Sequence, residues 1–413
     1  GMFLLCYILL AVTFGFCLLV LEIAIGRKTG KGIIGAFADL NKKCKWFGFV
    51  CLAVPIIIVP YYSVIGGWVV RYMAGFVSGD ALLVGENADL VTSGEFFATF
   101  TANPWQPLVS FLVFALLTVL VVVFGVQKGI ERISKLLMPL LAIIAVFLMI
   151  YVCVQPGAAD GVLKLFVPDF GDFTYETLLA ALGQLFYSMS LAMGIMITYG
   201  SYMKKDASIS GAARQISICD TCFAIVAALI VIPSIFAFSP DPETAAAQSG
   251  PSLMFVQLPA VFAEIPGGRW IGAVFFLLVF FAALTSSISL VEAIVAVLRE
   301  NCRLSRRTAC IIVFGIMLVL GSLSSLGFGP LSMIKIGDMD ILTIFDYFSN
   351  SILMPLVAIG TCIIAGFFTD TNGLMDEIGM RRSWYRRYYR VMIRYVAPLC
   401  MAAIMISGIF LDL

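Results

Sequence analysis

The chain has 413 residues, of which 61% are apolar and 12% charged, with no histidine and a formal net charge of +1. Its mean hydropathy of +1.04 lies far above that of water-soluble domains and places it in a membrane. The absent imidazole excludes histidine catalysis, histidine metal sites and a histidine pH switch. At that net charge, nucleic acid is not an expected partner.

About 20 apolar residues span a bilayer as a helix. Ten such runs can be counted: 2–26, 47–76, 107–124, 134–154, 175–203, 213–238, 268–298, 307–327, 341–367 and 391–411. In the first, Glu22 lies about one turn before Arg27, which predicts an interfacial ion pair and, more boldly, a part in closing the inner side. The second carries Tyr61 and Tyr62 at mid-span, within VPYYSVIGGWVVRY. An aromatic hydroxyl at that depth needs a partner, and a substrate carboxylate is one candidate, an ordinary core aromatic the other.

The fifth run is the most informative. In GQLFYSMSLAMGIMITYGSYMKK, residues 183–205, it is interrupted at its middle by Ser188, Ser190 and Gly194. A helix that unwinds there frees backbone groups able to hold a small cation and a charged substrate without placing full charges in lipid. Hydroxyls bonding back to their own helix, or a small-residue packing face, are the plain alternatives.

The sixth run holds Asp220 about 12 Å along its helix, with no Lys or Arg at helical spacing. An intramembrane acid marks a functional site unless it is hydrated from the cytoplasm. Cys219 and Cys222 beside it have CxxC spacing but stand alone, and helix packing is their expected role. In FAALTSSISL, 281–290, Ala282, Thr285 and Ser286 share one helix face. Their oxygens suit a hard monovalent ion such as sodium, while the lack of a carboxylate argues against calcium. A small-residue packing face is as good a reading from these residues alone. Glu292 receives no role. Asp346, near the outer end of the ninth run, is either an interfacial acid or part of a gate.

All Lys and Arg except Arg71, Lys164, Arg269 and Lys335 fall in 27–45, 125–135, 203–214, 299–308 and 368–394. The alternate loops carry Asp80, Glu86, Asp89, Glu95, Asp160, Asp169, Asp172, Asp241 and Glu243. By the positive-inside rule the first set is cytoplasmic and the second external, so ten spans put both termini outside. There is no Asn-X-Ser/Thr sequon, and no cysteine falls in the outer loops, which suits a bacterial inner membrane. Transporters built from inverted repeats carry broken helices at corresponding positions of their halves. With 175–367 as one five-helix repeat, the other shows only four, so the expectation is a fragment whose first helix lies upstream of Gly1.

The stretches GMFLLCYILLAVTFGFCLLVLEIAIGRKTGKG, YYSVIGGWVVRY, GVQKGIERISKLLMP, LGQLFYSMSLAMGIMITYGSYMKKD, ALTSS and FDYFSNSILMPL, in this order, resemble the sodium:neurotransmitter symporter family and its bacterial amino-acid transporters. The resemblance implies an all-α polytopic membrane protein with inverted five-helix repeats: 1–154 an incomplete first repeat, 175–367 the second, 391–411 an extra helix. It implies that Tyr62 bonds the substrate carboxylate, and that Ile58, Tyr187, Ser190, Met193, Ser286 and Leu290 complete the substrate pocket, Tyr187 as its lid. Ser188 and Asp220 fall on the first sodium site, and Ala282, Thr285 and Ser286 on the second. Glu22, Gln184 and Asp346 fall on gates, and the spacing Gly129 to Pro139 on a helix that unwinds at its inner end. Met193 stands where relatives often carry Phe, and Ala192 where they often carry Gly. A fixed acid at Asp220 supplies the negative charge that chloride gives animal relatives.

The expected function is sodium-coupled, chloride-independent import of hydrophobic or aromatic amino acids, with sodium as coupling ion and no organic cofactor. A proton-coupled permease and a non-transporting membrane sensor are the alternatives. An enzyme is not expected, since no nucleophile–base pair is visible.

Overall fold

The computed structural model describes residues 1–80, 83, 90–239, 242–246, 250–264, 267–337 and 339–410. The helices, in chain order, are α1 (Met2–Thr29), α2 (Ile33–Leu40), α3 (Lys42–Ser78), α4 (Leu90–Ala102), α5 (Gln106–Val123), α6 (Val126–Cys153), α7 (Ala158–Phe166) and α8 (Tyr175–Ser188). They continue with α9 (Ile195–Tyr202), α10 (Ile209–Phe238), α11 (Leu258–Glu264), α12 (Gly268–Asn301), α13 (Arg306–Leu326), α14 (Ile341–Phe367), α15 (Thr371–Ile378) and α16 (Ser383–Ile409). Among the described residues, nine are long and apolar enough to cross a membrane: α1, α3, α5, α6, α10, α12, α13, α14 and α16. The remaining expected span, the fifth (175–203), is two helices, α8 and α9, as the polar interruption predicts.

Helix ends follow capping chemistry rather than the edge of the apolar run. The side chains of Thr174, Ser208, Ser305 and Asp340 accept the amides of Thr177, Gly211, Thr308 and Thr343. Each thereby satisfies an amide that the helix itself leaves free. Gly30 and Gly79 close α1 and α3 in the left-handed region. For this reason α10 starts four residues before the expected 213. The runs expected from 134 and 391 likewise begin at Val126 and Ser383, because backbone hydrogen bonding continues through the polar flanks. Over the Gly129–Pro139 stretch the chain is wound, with a π turn over Val126–Glu131 leading into α6.

Inside a bilayer, helix association rests on close packing rather than on exclusion from water. At the crossing of α1 and α9, a Cβ on Gly26 would lie 2.0 Å from the Ile197 carbonyl oxygen, and one on Gly200 2.4 Å from that of Ile23. The two backbones touch, and only glycine fits. The tight α1–α9 pair holds the inner half of the broken span in place. On the outer side, Trp68, Tyr72 and Phe76 of α3 interlock with Phe96, Phe97, Phe255 and Phe276. The Tyr72 hydroxyl donates to the Phe255 carbonyl at 2.7 Å, tying the segment before α11 to α3.

Large apolar side chains such as Leu116 and Leu120 of α5 and Phe147 and Ile150 of α6 are exposed, as a lipid-facing surface requires. Cys219 and Cys222 are also exposed, which corrects the packing role expected for them: they share the lipid-facing side of α10 with Ile218, where a small apolar thiol sits as comfortably as in a core. Of the acids assigned to outer loops, Glu86, Asp89 and Asp241 lie outside the described residues.

Candidate functional site

The break in the fifth run extends from Met189 to Gly194. Its backbone alternates into the left-handed region, at Ser190 (φ 53°), Ala192 (φ 59°) and Gly194 (φ 72°). Two of the three are not glycine, and such residues pay for that conformation. In a continuous helix the amide of Ala192 would bond to the Ser188 carbonyl. Here it donates instead to Glu22 Oε1 of α1, at 2.7 Å, so the Ser188 carbonyl loses its helical donor. Glu22 is 3% exposed, and its second oxygen, Oε2, is buried without a hydrogen bond among the described residues.

This overturns the expected Glu22–Arg27 pair. Five residues along a helix turn a side chain by about 140°, so the two point to different faces. Arg27 instead donates from Nε to Glu377 Oε1 at 2.8 Å and also bonds the Ala207 and Glu377 carbonyls. Lys205 joins the same carboxylate at 3.1 Å and the Arg27 carbonyl at 3.0 Å. Burial alone would raise the Glu377 carboxyl, but the hydrogen bonds from Lys205 and Arg27 outweigh it and hold it below the usual glutamate range.

At the outer end of the break, Ser188 Oγ donates to Asp220 Oδ1 at 2.7 Å, and the Tyr7 hydroxyl donates to Oδ2 at 2.8 Å. Tyr7 also reaches Ser188 Oγ, at 3.1 Å. Asp220 is thus paired with two hydroxyls, from α1 and α8. With its proton directed at Asp220 and one lone pair facing the Tyr7 hydroxyl, Ser188 Oγ keeps a second lone pair for another partner. Tyr7 is a residue that reading the sequence missed. The signal was an aromatic hydroxyl inside the first span, with partners 181 and 213 residues away.

Tyr62, Gln184, Tyr187 and Asp346 line one cavity of about 920 Å³, together with Phe255, Asn350 and Met354. Asn350 Nδ2 donates to Asp346 Oδ1 at 2.6 Å, so Asp346 is a cavity acid rather than a surface one. Tyr61 is buried and its hydroxyl meets Ser349 Oγ at 3.2 Å. Ile58, Met193 and Leu290 are buried in the core, and Ser190 is half-buried at the break. On α12, the Thr285 hydroxyl bonds back to the carbonyls of Phe281 (3.1 Å) and Ala282 (2.9 Å), while Ala282 and Ser286 are exposed. Ser286 lies beside the Tyr62 hydroxyl. No hydrogen bond among the described residues joins this face to Ser188 or Asp220.

Glu292, given no role from sequence, is wholly buried. It accepts the Tyr202 hydroxyl at 2.7 Å and both terminal nitrogens of Arg306, whose Nε donates to the Val122 carbonyl at 2.7 Å. One carboxylate thereby ties together α5, α9, α12 and α13 at the basic side of the protein.

The chain is 32% identical over 418 residues to YhdH, an uncharacterised sodium-dependent transporter of Bacillus subtilis (strain 168), covering 98% of this chain and 89% of that one. It is 30% identical over 420 residues to an uncharacterised sodium-dependent transporter of Haemophilus influenzae, covering 99% and 91%. The crystal structure of MhsT in complex with L-phenylalanine superimposes with a TM-score of 0.88 at 33% identity, over 99% of this chain and 91% of MhsT. The sodium:neurotransmitter symporter family model matches residues 1–81 and 101–411. A helix broken at bilayer depth belongs to transport rather than to catalysis, and with these matches the chain is a sodium-dependent, multi-pass membrane transporter of the sodium:neurotransmitter symporter family.

Proposed function

We propose that this transporter imports hydrophobic or aromatic amino acids by alternating access, driven by sodium and without need of chloride. The observation that carries the reading is the group at the break: the Asp220 carboxylate, fixed by Ser188 and Tyr7 beside an uncoiled backbone. Such a group supplies one negative charge and several oxygens where a sodium ion needs both, so chloride has no charge left to provide. That MhsT was crystallised with L-phenylalanine supports an aromatic substrate, and the flexible Met193 suits an adaptable pocket.

In this reading Ser188 and Asp220 hold the first sodium ion, and the Ala282 carbonyl with the Thr285 and Ser286 hydroxyls holds the second. Tyr62 takes the substrate carboxylate, and Ile58, Tyr187, Ser190, Met193, Ser286 and Leu290 form the side-chain pocket. Gln184 and Asp346 belong to the outer gate. Glu22 acts from the inner side by fixing the break through Ala192. Residues 175–367 form one repeat, 1–154 belong to the other and 391–411 stand outside both, in a bacterial inner membrane. Sodium acts by binding one conformation better than the other, which shifts the population toward it.

The test is uptake of labelled L-phenylalanine by full-length protein in proteoliposomes. An inward sodium gradient should drive accumulation that potassium does not, unchanged when gluconate replaces chloride. No sodium-driven uptake of any apolar amino acid would end the substrate reading, and a chloride requirement would end the role given to Asp220.

A further inference from the structure

Helix α16 enters the membrane through an unusual segment, SWYRRYYRV, preceded by Arg381 and Arg382. Its arginines divide into two groups. Arg386 pairs with Asp376, Arg390 donates to Asn372 Oδ1 at 2.8 Å, and Arg394 donates to the Gly366 carbonyl at 2.7 Å while lying over the Phe367 ring. These fasten α16 to α14 and α15. Arg381, Arg382 and Arg387 are exposed, and their guanidinium groups make no hydrogen bond or ion pair among the described residues. Beside them Trp384 is 63% exposed. It begins a stripe of exposed side chains, Trp384, Tyr388, Val391, Tyr395, Leu399 and Ile406, that recurs at helical spacing along one side of α16.

We propose that this entrance is a binding site for anionic phospholipid headgroups of the bilayer leaflet on the basic side. The stripe is continuous with the lipid-facing surface of the span, so it sets the depth: its apolar end lies among acyl chains and Trp384 lies at the headgroup level, where tryptophan is favoured. Three uncompensated guanidinium groups are then held at the plane of the lipid phosphates, whose geometry they match with paired N–H donors. Their charge selects an anionic headgroup over a zwitterionic one, by about fivefold per arginine. A soluble phosphate would use the guanidinium groups but not the stripe, and an acidic protein segment would not need Trp384 at the headgroup level of a bilayer.

The experiment uses full-length protein in vesicles of phosphatidylcholine containing either brominated phosphatidylglycerol or brominated phosphatidylcholine. The emission of Trp384 is obtained as the difference between the wild type and Trp384→Phe. We expect half-maximal quenching of Trp384 at a mole fraction at least about tenfold lower for the anionic lipid. Arg381→Gln/Arg382→Gln/Arg387→Gln should remove that preference while the thermal midpoint stays unchanged. Equal quenching by the two lipids in the wild type overturns the proposal and needs no variant to fold. A preference that survives in the triple variant overturns it as well.

Discussion

Replacing Asp220 by Asn removes one charge at nearly constant shape, and the structure sets the size of the effect. A sodium ion in contact with Ser188 Oγ lies at about 2.4 Å, the usual distance of a hard cation from oxygen. Because Ser188 Oγ and Asp220 Oδ1 are 2.7 Å apart, that ion is within about 5 Å of the carboxylate. At an effective dielectric constant of about 20, opposite unit charges at that distance attract by about 3 kcal/mol, or about a hundredfold in sodium affinity. The amide also keeps only one acceptor oxygen for the two hydroxyl donors, Ser188 and Tyr7. The lost charge-assisted bond costs the fold about 1.5–3 kcal/mol. The assay is sodium-dependent binding of L-phenylalanine to full-length protein at fixed ionic strength, with and without chloride. Half-saturating sodium should rise about a hundredfold in gluconate, and chloride should restore part of the loss by returning a negative charge. A sodium dependence within about threefold of wild type, in protein that retains its fold, would refute the placement of sodium beside Asp220.

Other outcomes follow from the same geometry. Gly26→Ala puts a methyl 2.0 Å from the Ile197 carbonyl oxygen and should lower the thermal midpoint by the equivalent of about 1–3 kcal/mol, whereas Gly183→Ala, with open space around it, should not. Ala192→Gly relieves a left-handed alanine at φ 59° and should raise stability by up to about 1 kcal/mol, while Ala192→Val should lower it; equal midpoints for the two would show that the break is not strained. Arg306→Ala strands the buried Glu292 carboxylate and should cost about 3–5 kcal/mol, much of it recovered in Glu292→Gln/Arg306→Gln; a double variant no better than the single would refute this. The Glu377 carboxyl is held below its ordinary range, so its contribution is fully present above the unfolded pKa and is lost as pH falls through the depressed folded value. Thermal melts across that acid range should show Glu377→Gln converging with wild type at low pH, and a gap that widens there would contradict the sign.

The ten spans, the broken fifth one and the isolated Asp220 were all legible in the sequence, because each leaves a local signature, whereas the pairing of Ser188 with Asp220 came from the family resemblance alone. An uninterrupted apolar run fixes a spanning helix, since every backbone group must be satisfied without water. Polar residues and glycine at mid-span mark where that rule is relaxed. The carboxylate of Asp220 stood out for the same reason, as a charge with no helical neighbour to offset it.

Partners across the chain leave no such mark. Glu22 stood close to Arg27 in sequence, yet helix phase turns it toward Ala192, 170 residues away. Tyr7 carried no reading from sequence, and the packing of α1 against α10 brings it to Asp220; Glu292 had no role until Arg306 and Tyr202 converged on it. The sequence by itself determined where the chain crosses the membrane and where it must uncoil, because solvation imposes both residue by residue. Only the tertiary structure decided which groups hold the uncoiled segment, because hydrogen bonds between helices depend on the phase and crossing of elements packed face to face.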